Sequence, residues 1–188
     1  MQPGKRAEAS PDTILGACHI TGGTGMEKMR RKDRELTDRE GILRILERAK
    51  ILRLALLDGD YPYVVPLHYA YEFSDGSLTF YMHSAREGHK LDLIRKNPKV
   101  CIELDCDVSL ISGGDIPCRY GSAYGSLIAR GRAEISEDEA EKIKGLKLLM
   151  RNQTGRDFDI DERMASSVSL IKVKVRAADF TAKSRMPS

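Results

Sequence analysis

The spacing of apolar and polar residues changes several times along the chain, and each change marks an element. Residues 61–72 (YPYVVPLHYAYE) alternate with period two and are rich in Tyr and Val, the pattern of a strand. Tyr63, Val65, Leu67, Tyr69 and Tyr71 fall on one face, and Val64, Pro66, His68, Ala70 and Glu72 on the other. Pro62 and Pro66 have no N–H to give a ladder, so they mark an edge, a bulge or a ligand-facing stretch. A second β run, 77–82, follows the turn Ser74-Asp75-Gly76, so the two are read as a hairpin. Before them, Thr37-x-x-Glu40 is a capping box opening a helix to Ala49, with Ile42, Leu43, Ile45, Leu46 and Ala49 on its apolar face. A strand over 50–57 ends at the turn Asp58-Gly59-Asp60.

After the hairpin, Ser84-Ala85-Arg86-Glu87 is a second capping box, predicting a helix over 84–96 that stops at Asn97-Pro98. Strand 99–105 leads into a polar, Gly-rich stretch, 107–118, long enough to be a flap. Residues 119–135 read as one long strand whose odd positions are small or apolar, with glycines at 121, 125 and 131. Ser136-x-x-Glu139 is a third capping box, opening a helix to about Arg151. A polar loop over 153–163 and a closing strand over 167–180 complete the chain. The order α-β-β-β-α-β-β-α-β, six strands with peripheral helices, predicts a mainly β fold closed into an antiparallel barrel.

Composition narrows the class. A chain of 188 residues, 41% hydrophobic and 31% charged, is a soluble globular protein of one domain. A net charge of +3 is too small to argue nucleic-acid binding and suits a small anionic ligand equally well. The four cysteines, Cys18, Cys101, Cys106 and Cys118, form no CxxC pair, so no metal is expected. Neither a signal peptide nor a membrane-spanning run is visible, which places the protein in the cytoplasm with reduced thiols. Residues 1–28 read as an arm. Its segment 21–25 imitates a phosphate loop, but no strand precedes it and no Gly-Lys-Ser/Thr follows. The basic run 28–34 reads as a solvated lead-in.

Two features carry chemistry. The first turn of a helix leaves backbone N–H groups without partners, and with Arg86, His89 and Lys90 close by they form an anion site; Gly88 permits close backbone approach. His68 lies in a strand among tyrosines, where a histidine is more often a structural hydrogen bonder than a catalyst.

Several segments, in this order, resemble the flavin-binding split-barrel superfamily that contains pyridoxamine 5'-phosphate oxidase. They are Met29-Arg30-Arg31-Lys32-Asp33-Arg34-Glu35, then Val65-Pro66-Leu67-His68-Tyr69, then His83 to Lys90 with Asn97-Pro98, and Arg119-Tyr120-Gly121-Ser122. The likeness is greatest to the Nim, or 5-nitroimidazole-resistance, branch. It covers 29–183 as one domain and leaves 184–188 as a tail, with Lys183 and Arg185 near a position where the family often ends in Gly-Lys. The resemblance implies a six-stranded split barrel that binds FMN at a homodimer interface and reduces electron-poor small molecules such as nitroaromatics. It implies that His68 sits beside the flavin and substrate, as proton donor or electrophile orienter. Leu67, Tyr69 and His83 would line the ring through backbone groups and stacking, Pro66 would also contact the cofactor, and Ser84, Gly88, His89 and Lys90 would cradle the phosphate. Tyr120 and Ser122 would reach the partner subunit's cofactor. Members that hold flavin or haem without turnover are the alternative. Pyridoxamine phosphate oxidation itself fits less well, because 181–188 lacks the basic signature for that substrate's phosphate.

Overall fold

The computed structural model describes residues 26–186, so nearly all of the predicted arm, including its 21–25 segment, lies outside the described residues. Nine strands are present where six were expected: β1 Glu35–Leu36, β2 Leu52–Asp58, β3 Tyr61–Leu67, β4 Tyr69–Ser74, β5 Ser77–Ser84, β6 Lys99–Ile111, β7 Gly121–Ser136, β8 Ser169–Val175 and β9 Phe180–Arg185. Four helices accompany them: α1 Arg39–Arg48, α2 His89–Lys96, α3 Glu139–Thr154 and the short α4 Glu162–Ser166. Every strand pairing is antiparallel.

Of the three extra strands one comes from splitting, and β1 and β9 are additional. The predicted strand 61–72 breaks at His68 into β3, which pairs with β2, and β4, which pairs with β5. The predicted closing strand 167–180 ends early, as β8; a turn of 3-10 helix at Ala177–Asp179 follows, and then β9, which the sequence pattern did not signal. Both pair with the same strand. The first part of β7, Tyr124–Ala129, carries β9, and its last part, Arg132–Ser136, carries β8. Gly131 lies at this fork. A Cβ there would come within 2.7 Å of the Lys174 carbonyl oxygen and of Val173 Cγ1, so only glycine lets the strands draw this close. β9 also pairs with β1, setting Lys183 opposite Glu35; Lys183 and Arg185 therefore lie in a strand rather than in a solvated tail.

Hydrogen-bonded neighbours run in the order β3-β2-β6-β7-β8-β5-β4. The two end strands of this path, β3 and β4, are consecutive in the chain, with His68 alone between them. No ladder joins them among the described residues, so the barrel is split at this seam rather than closed all round. β3 is thus an edge strand, one of the three placements that Pro62 and Pro66 allow.

The core lies inside this curved sheet. Leu52, Leu54 and Leu56 of β2 pack with Ile102 and Leu104 of β6, Leu127 and Ala129 of β7, and Ile171 and Val173 of β8. Alternation along β2 and β7 puts these residues on one face, as the period-two pattern predicts. α1 closes one end through Ile42, Ile45 and Leu46, and α2 fills the other side through Leu91, Leu93 and Ile94. The helix starts lie later than the capping boxes predict. Asp38, not Thr37, caps α1 by accepting from the Gly41 N–H at 2.7 Å. Asp138 caps α3 in the same way through Glu141, and the Ser136 hydroxyl instead donates to the Glu141 carboxylate. The expected flap is also shorter. β6 continues to Ile111 through a bulge at Asp107 and Val108, where Asp107 adopts φ +55°, and the connection to β7 covers only 112–120.

Candidate functional site

At the seam the chain leaves β5 at Ser84 and turns into α2. The Ser84 capping box is not formed. Ser84 is buried, and its hydroxyl donates to the Ala85 carbonyl at 2.7 Å. The helix begins five residues later, with Gly88 as N-cap at φ +139°, a conformation L side chains rarely adopt. The Gly88 carbonyl accepts from the Leu91 and Asp92 N–H groups. Among the described residues, no hydrogen bond engages the amide N–H of Arg86, Glu87, Gly88, His89 or Lys90. A Cβ added to Gly88 would meet nothing within 4 Å, and residues 86–89 are exposed. This run is the mouth of unpaired donors that a helix N-terminus provides, displaced from Ser84 to Gly88.

His83 and His68 stand beside this mouth. β4 and β5 pair Tyr69 with Met82, so one step further along the register His68 comes alongside His83. His83 Nδ1 is buried and has no hydrogen-bond partner. Burial pushes the His83 imidazole below the ordinary histidine range, and the charges of His68 and Lys90 push it the same way. His83 is thus biased toward its neutral form, with an unmatched polar atom beside a lysine. A buried polar atom without a partner is costly and marks a place where a ligand or an ordered water completes the site.

His68 is exposed. Its Nδ1 lies 3.3 Å from the Lys50 carbonyl oxygen and 3.1 Å from Gln153 Oε1. Gln153 belongs to the last turn of α3, which docks on the seam. Gln153 Nε2 and Asn152 Nδ2 each donate to the Tyr69 carbonyl at 2.9 Å, and Lys50 Nζ donates to the Asn152 carbonyl at 3.2 Å. The sequence reading placed Gln153 at the start of a polar loop. A helix C-terminus rich in amide side chains signals contact with stray backbone groups, but periodicity cannot say whose.

The remaining predicted residues separate into different places. Tyr69 is withdrawn into the core. Its ring is fully buried, and its hydroxyl donates to the Leu46 and Ala49 carbonyls at 2.8 and 3.1 Å, so the ring cannot stack on a ligand. The His89 imidazole is committed elsewhere, with Nε2 2.7 Å from Asp58 Oδ2 and its ring edge-on to Tyr63 at 5.1 Å; only its backbone N–H serves the mouth. Leu67 is half-buried on the inner face opposite Leu52, whereas Pro66 is exposed on the outer face opposite Arg53. Tyr120 and Ser122 are not brought to the mouth by their own chain. Leu67, Leu52, Leu104 and Leu127 lie in one row across four strands, and Ser122 is five residues beyond Leu127, about 17 Å at a strand's rise. Both sit on the projecting tip of the β6–β7 hairpin, where Tyr120 is exposed.

A groove of about 1210 Å³ lies elsewhere, between α1, the β6 bulge and the end of β9. Arg44 and Arg48 of its lining both bind Asp107. It holds none of the predicted residues. Among the described residues no group of three or more His, Cys, Asp or Glu side chains is arranged to hold a metal ion, and no helix is long and apolar enough to cross a membrane.

Comparison with known proteins agrees with this architecture. The family model described as pyridoxamine 5'-phosphate oxidase matches residues 38–183. A Bacteroides thetaiotaomicron protein, named as a candidate 5-nitroimidazole antibiotic resistance protein, is 31% identical; the match covers 79% of this chain and 85% of that one with a TM-score of 0.67. The flavocytochrome Anf3 of Azotobacter vinelandii shares the fold at 18% identity, covering 85% of this chain and 73% of its own, with a TM-score of 0.66. The FAD and heme binding protein of Mycobacterium smegmatis shares it at 14% identity, covering 82% and 76%, with a TM-score of 0.65. No curated protein matches the chain. With the split barrel, the helix mouth and this family match in hand, the chain belongs to the pyridoxamine 5'-phosphate oxidase family, and its likeness extends to the 5-nitroimidazole-resistance branch.

Proposed function

We propose that this protein is an FMN-binding oxidoreductase that reduces nitroaromatic or similarly electron-poor small molecules. The observation that carries the reading is the juxtaposition of unpaired amides at Arg86–Lys90, the Lys90 ammonium and the orphaned His83 Nδ1, all beside His68. A flavin phosphate needs backbone N–H donors and at least one cation, and the Gly88 mouth offers both. A ring nitrogen or carbonyl of the flavin would give His83 its missing partner. The residues present thus fit the group. FMN, when bound, supplies the electron chemistry, and the protein supplies position and electrostatics. Lys90 and the amides of residues 86–90 hold the phosphate. Leu67, half-buried beside His68, gives the ring an apolar wall. His68 moves a proton at Nε2, the ring nitrogen that faces away from Lys50 and Gln153.

In this reading the protein is a cytoplasmic homodimer. The mouth on one copy is open, and Tyr120 and Ser122 of the β6–β7 tip project too far to serve their own mouth. A second copy brings them to it. Titration of the purified protein with FMN, followed by visible absorbance and by turnover of a nitroaromatic with a chemical reductant, tests the proposal. Sedimentation gives the subunit number. Micromolar or tighter FMN binding with turnover supports it, and absence of both overturns it.

The exposed imidazole of His68 favours a second reading, haem binding without turnover, because a neutral imidazole nitrogen is an iron ligand. A Soret band after haem addition that vanishes in His68→Ala identifies that outcome.

A further inference from the structure

We propose that Gln153 is a positioning residue for His68, holding its neutral ring as the Nδ1–H tautomer so that Nε2 presents a lone pair to the mouth of α2. The proposal rests on the functional reading above for what His68 acts upon, but its geometry stands on hydrogen bonding alone. A backbone carbonyl can only accept. The Tyr69 carbonyl oxygen lies 2.9 Å from one end of the Gln153 amide, so that end is the NH2 group. The other end, the oxygen, then faces His68 Nδ1 at 3.1 Å. Two acceptors meeting without a proton would repel, so Nδ1 carries the hydrogen. An independent contact requires the same: the Lys50 carbonyl oxygen, 3.3 Å from Nδ1, is also an acceptor. Both neighbours of Nδ1 therefore demand N–H there, and the neutral ring leaves Nε2 bare.

The consequence concerns the partner of His68. A bare Nε2 accepts a hydrogen bond from an N–H or O–H of whatever lies in the mouth. It donates only after taking a proton from solvent, becoming an imidazolium whose Nδ1–H still rests on Gln153 and Lys50. His68 thus delivers a proton it has first collected. Gln153 belongs to α3, so the setting of this ring depends on the docking of a helix that the sequence places 85 residues away.

The test is long-range 15N–1H correlation of the imidazole nitrogens in the full-length chain, recorded where the ring is neutral. The expected wild-type signature for His68 is a protonated Nδ1 and an unprotonated Nε2. Gln153→Leu removes the acceptor and the amide donor; it shifts the tautomer balance toward Nε2–H and slows nitroaromatic reduction about tenfold, the scale of one hydrogen bond to a ring that charges. Affinity for FMN changes less than about twofold. Gln153→Glu keeps an acceptor at Nδ1 but sets its second carboxylate oxygen against the Tyr69 carbonyl, so it loosens the α3 contact yet retains the Nδ1–H signature of the neutral ring. A wild-type His68 carrying Nε2–H, or a Gln153→Leu spectrum identical to wild type, overturns the proposal; if Gln153→Leu fails to fold, the wild-type and Gln153→Glu spectra decide it. The expected tautomer in a protein that binds no FMN rejects the functional reading and leaves the positioning intact. FMN binding with the opposite tautomer does the reverse.

Discussion

Tyr69→Phe isolates the seam between the core and the site. The ring is fully buried and is retained by the substitution, so no cavity opens. What is lost is the hydroxyl that donates to the Leu46 and Ala49 carbonyls at 2.8 and 3.1 Å. Both oxygens belong to the C-terminal turn of α1, where helical N–H donors run out. Among the described residues no other donor reaches the Leu46 carbonyl. Removing the hydroxyl costs about 1–3 kcal/mol, the desolvation penalty of a buried acceptor left bare. At about 2 kcal/mol the melting temperature falls by roughly 4–8 °C for a domain of this size. Guanidinium unfolding followed by circular dichroism suits the chain, which has no tryptophan. The midpoint should drop with an unchanged slope, and FMN affinity should stay within about twofold, because the ring never faces the mouth. A midpoint equal to wild type, or a tenfold loss of FMN affinity at unchanged stability, would refute the assignment of Tyr69 to the core.

Three further outcomes follow from other places. Lys90→Ala should weaken FMN binding by about 1.5–3 kcal/mol, roughly 10- to 150-fold, while His89→Ala, whose ring rests on Asp58, should change it less than about threefold; calorimetric titration separates the two. Gly131→Ala forces a Cβ to within 2.7 Å of the Lys174 carbonyl oxygen, so it should destabilise by about 1–3 kcal/mol in urea unfolding, and a neutral result would deny the close approach at the fork. The Glu141 carboxyl is held below its ordinary 4.5 by hydrogen bonds from Lys172 and Ser136. Burial would raise the Glu72 carboxyl, but hydrogen bonds from Lys144 and Tyr81 outweigh it and also hold it low. A carboxylate depressed in the folded state stabilises above its unfolded pKa, and that contribution is lost as pH falls through the folded one. Stability should therefore decline from about pH 5 toward about pH 3, and Glu141→Gln should flatten that decline; equal slopes in the two proteins would rule out this origin.

The sequence made the elements legible where one signal acted alone. The alternation in β2 and β7 and the helical stripe of α1 placed those elements and their inward faces, because burial on one face leaves an unambiguous period. Helix starts slipped for a local reason: Thr37-Asp38 and Ser136-x-Asp138 each offer two capping side chains close together, and the aspartates won. Ser84 failed as a cap because it is still a strand residue, paired with Ser169 and buried. The break at His68 was hidden because the alternation runs straight through it, although the strand on either side has a different partner. His68, His83, Gly88 and Lys90, which the family resemblance singles out, are brought near one another by the fold. Gln153 was not legible, since an amide side chain at a helix end has no pattern until its target is known. The buried direction of the Tyr69 ring was not legible, because a tyrosine next to a histidine looks the same in sequence whether its ring faces in or out.

The exposed side of β3 has a consequence for solubility. Backbone N–H groups along a strand point alternately to its two sides, so those of residues 62, 64 and 66 share one direction. Two of the three are prolines with no N–H, and β3 pairs with β2 through all seven of its residues, so this is the side turned away from β2. A second strand approaching the open edge would find a donor at Val64 and none at its neighbours. Exposed Tyr61 and Val64 would otherwise make this margin a template for edge-to-edge aggregation, and Pro62 and Pro66 deny that growth its hydrogen bonds while leaving the seam open beside His68.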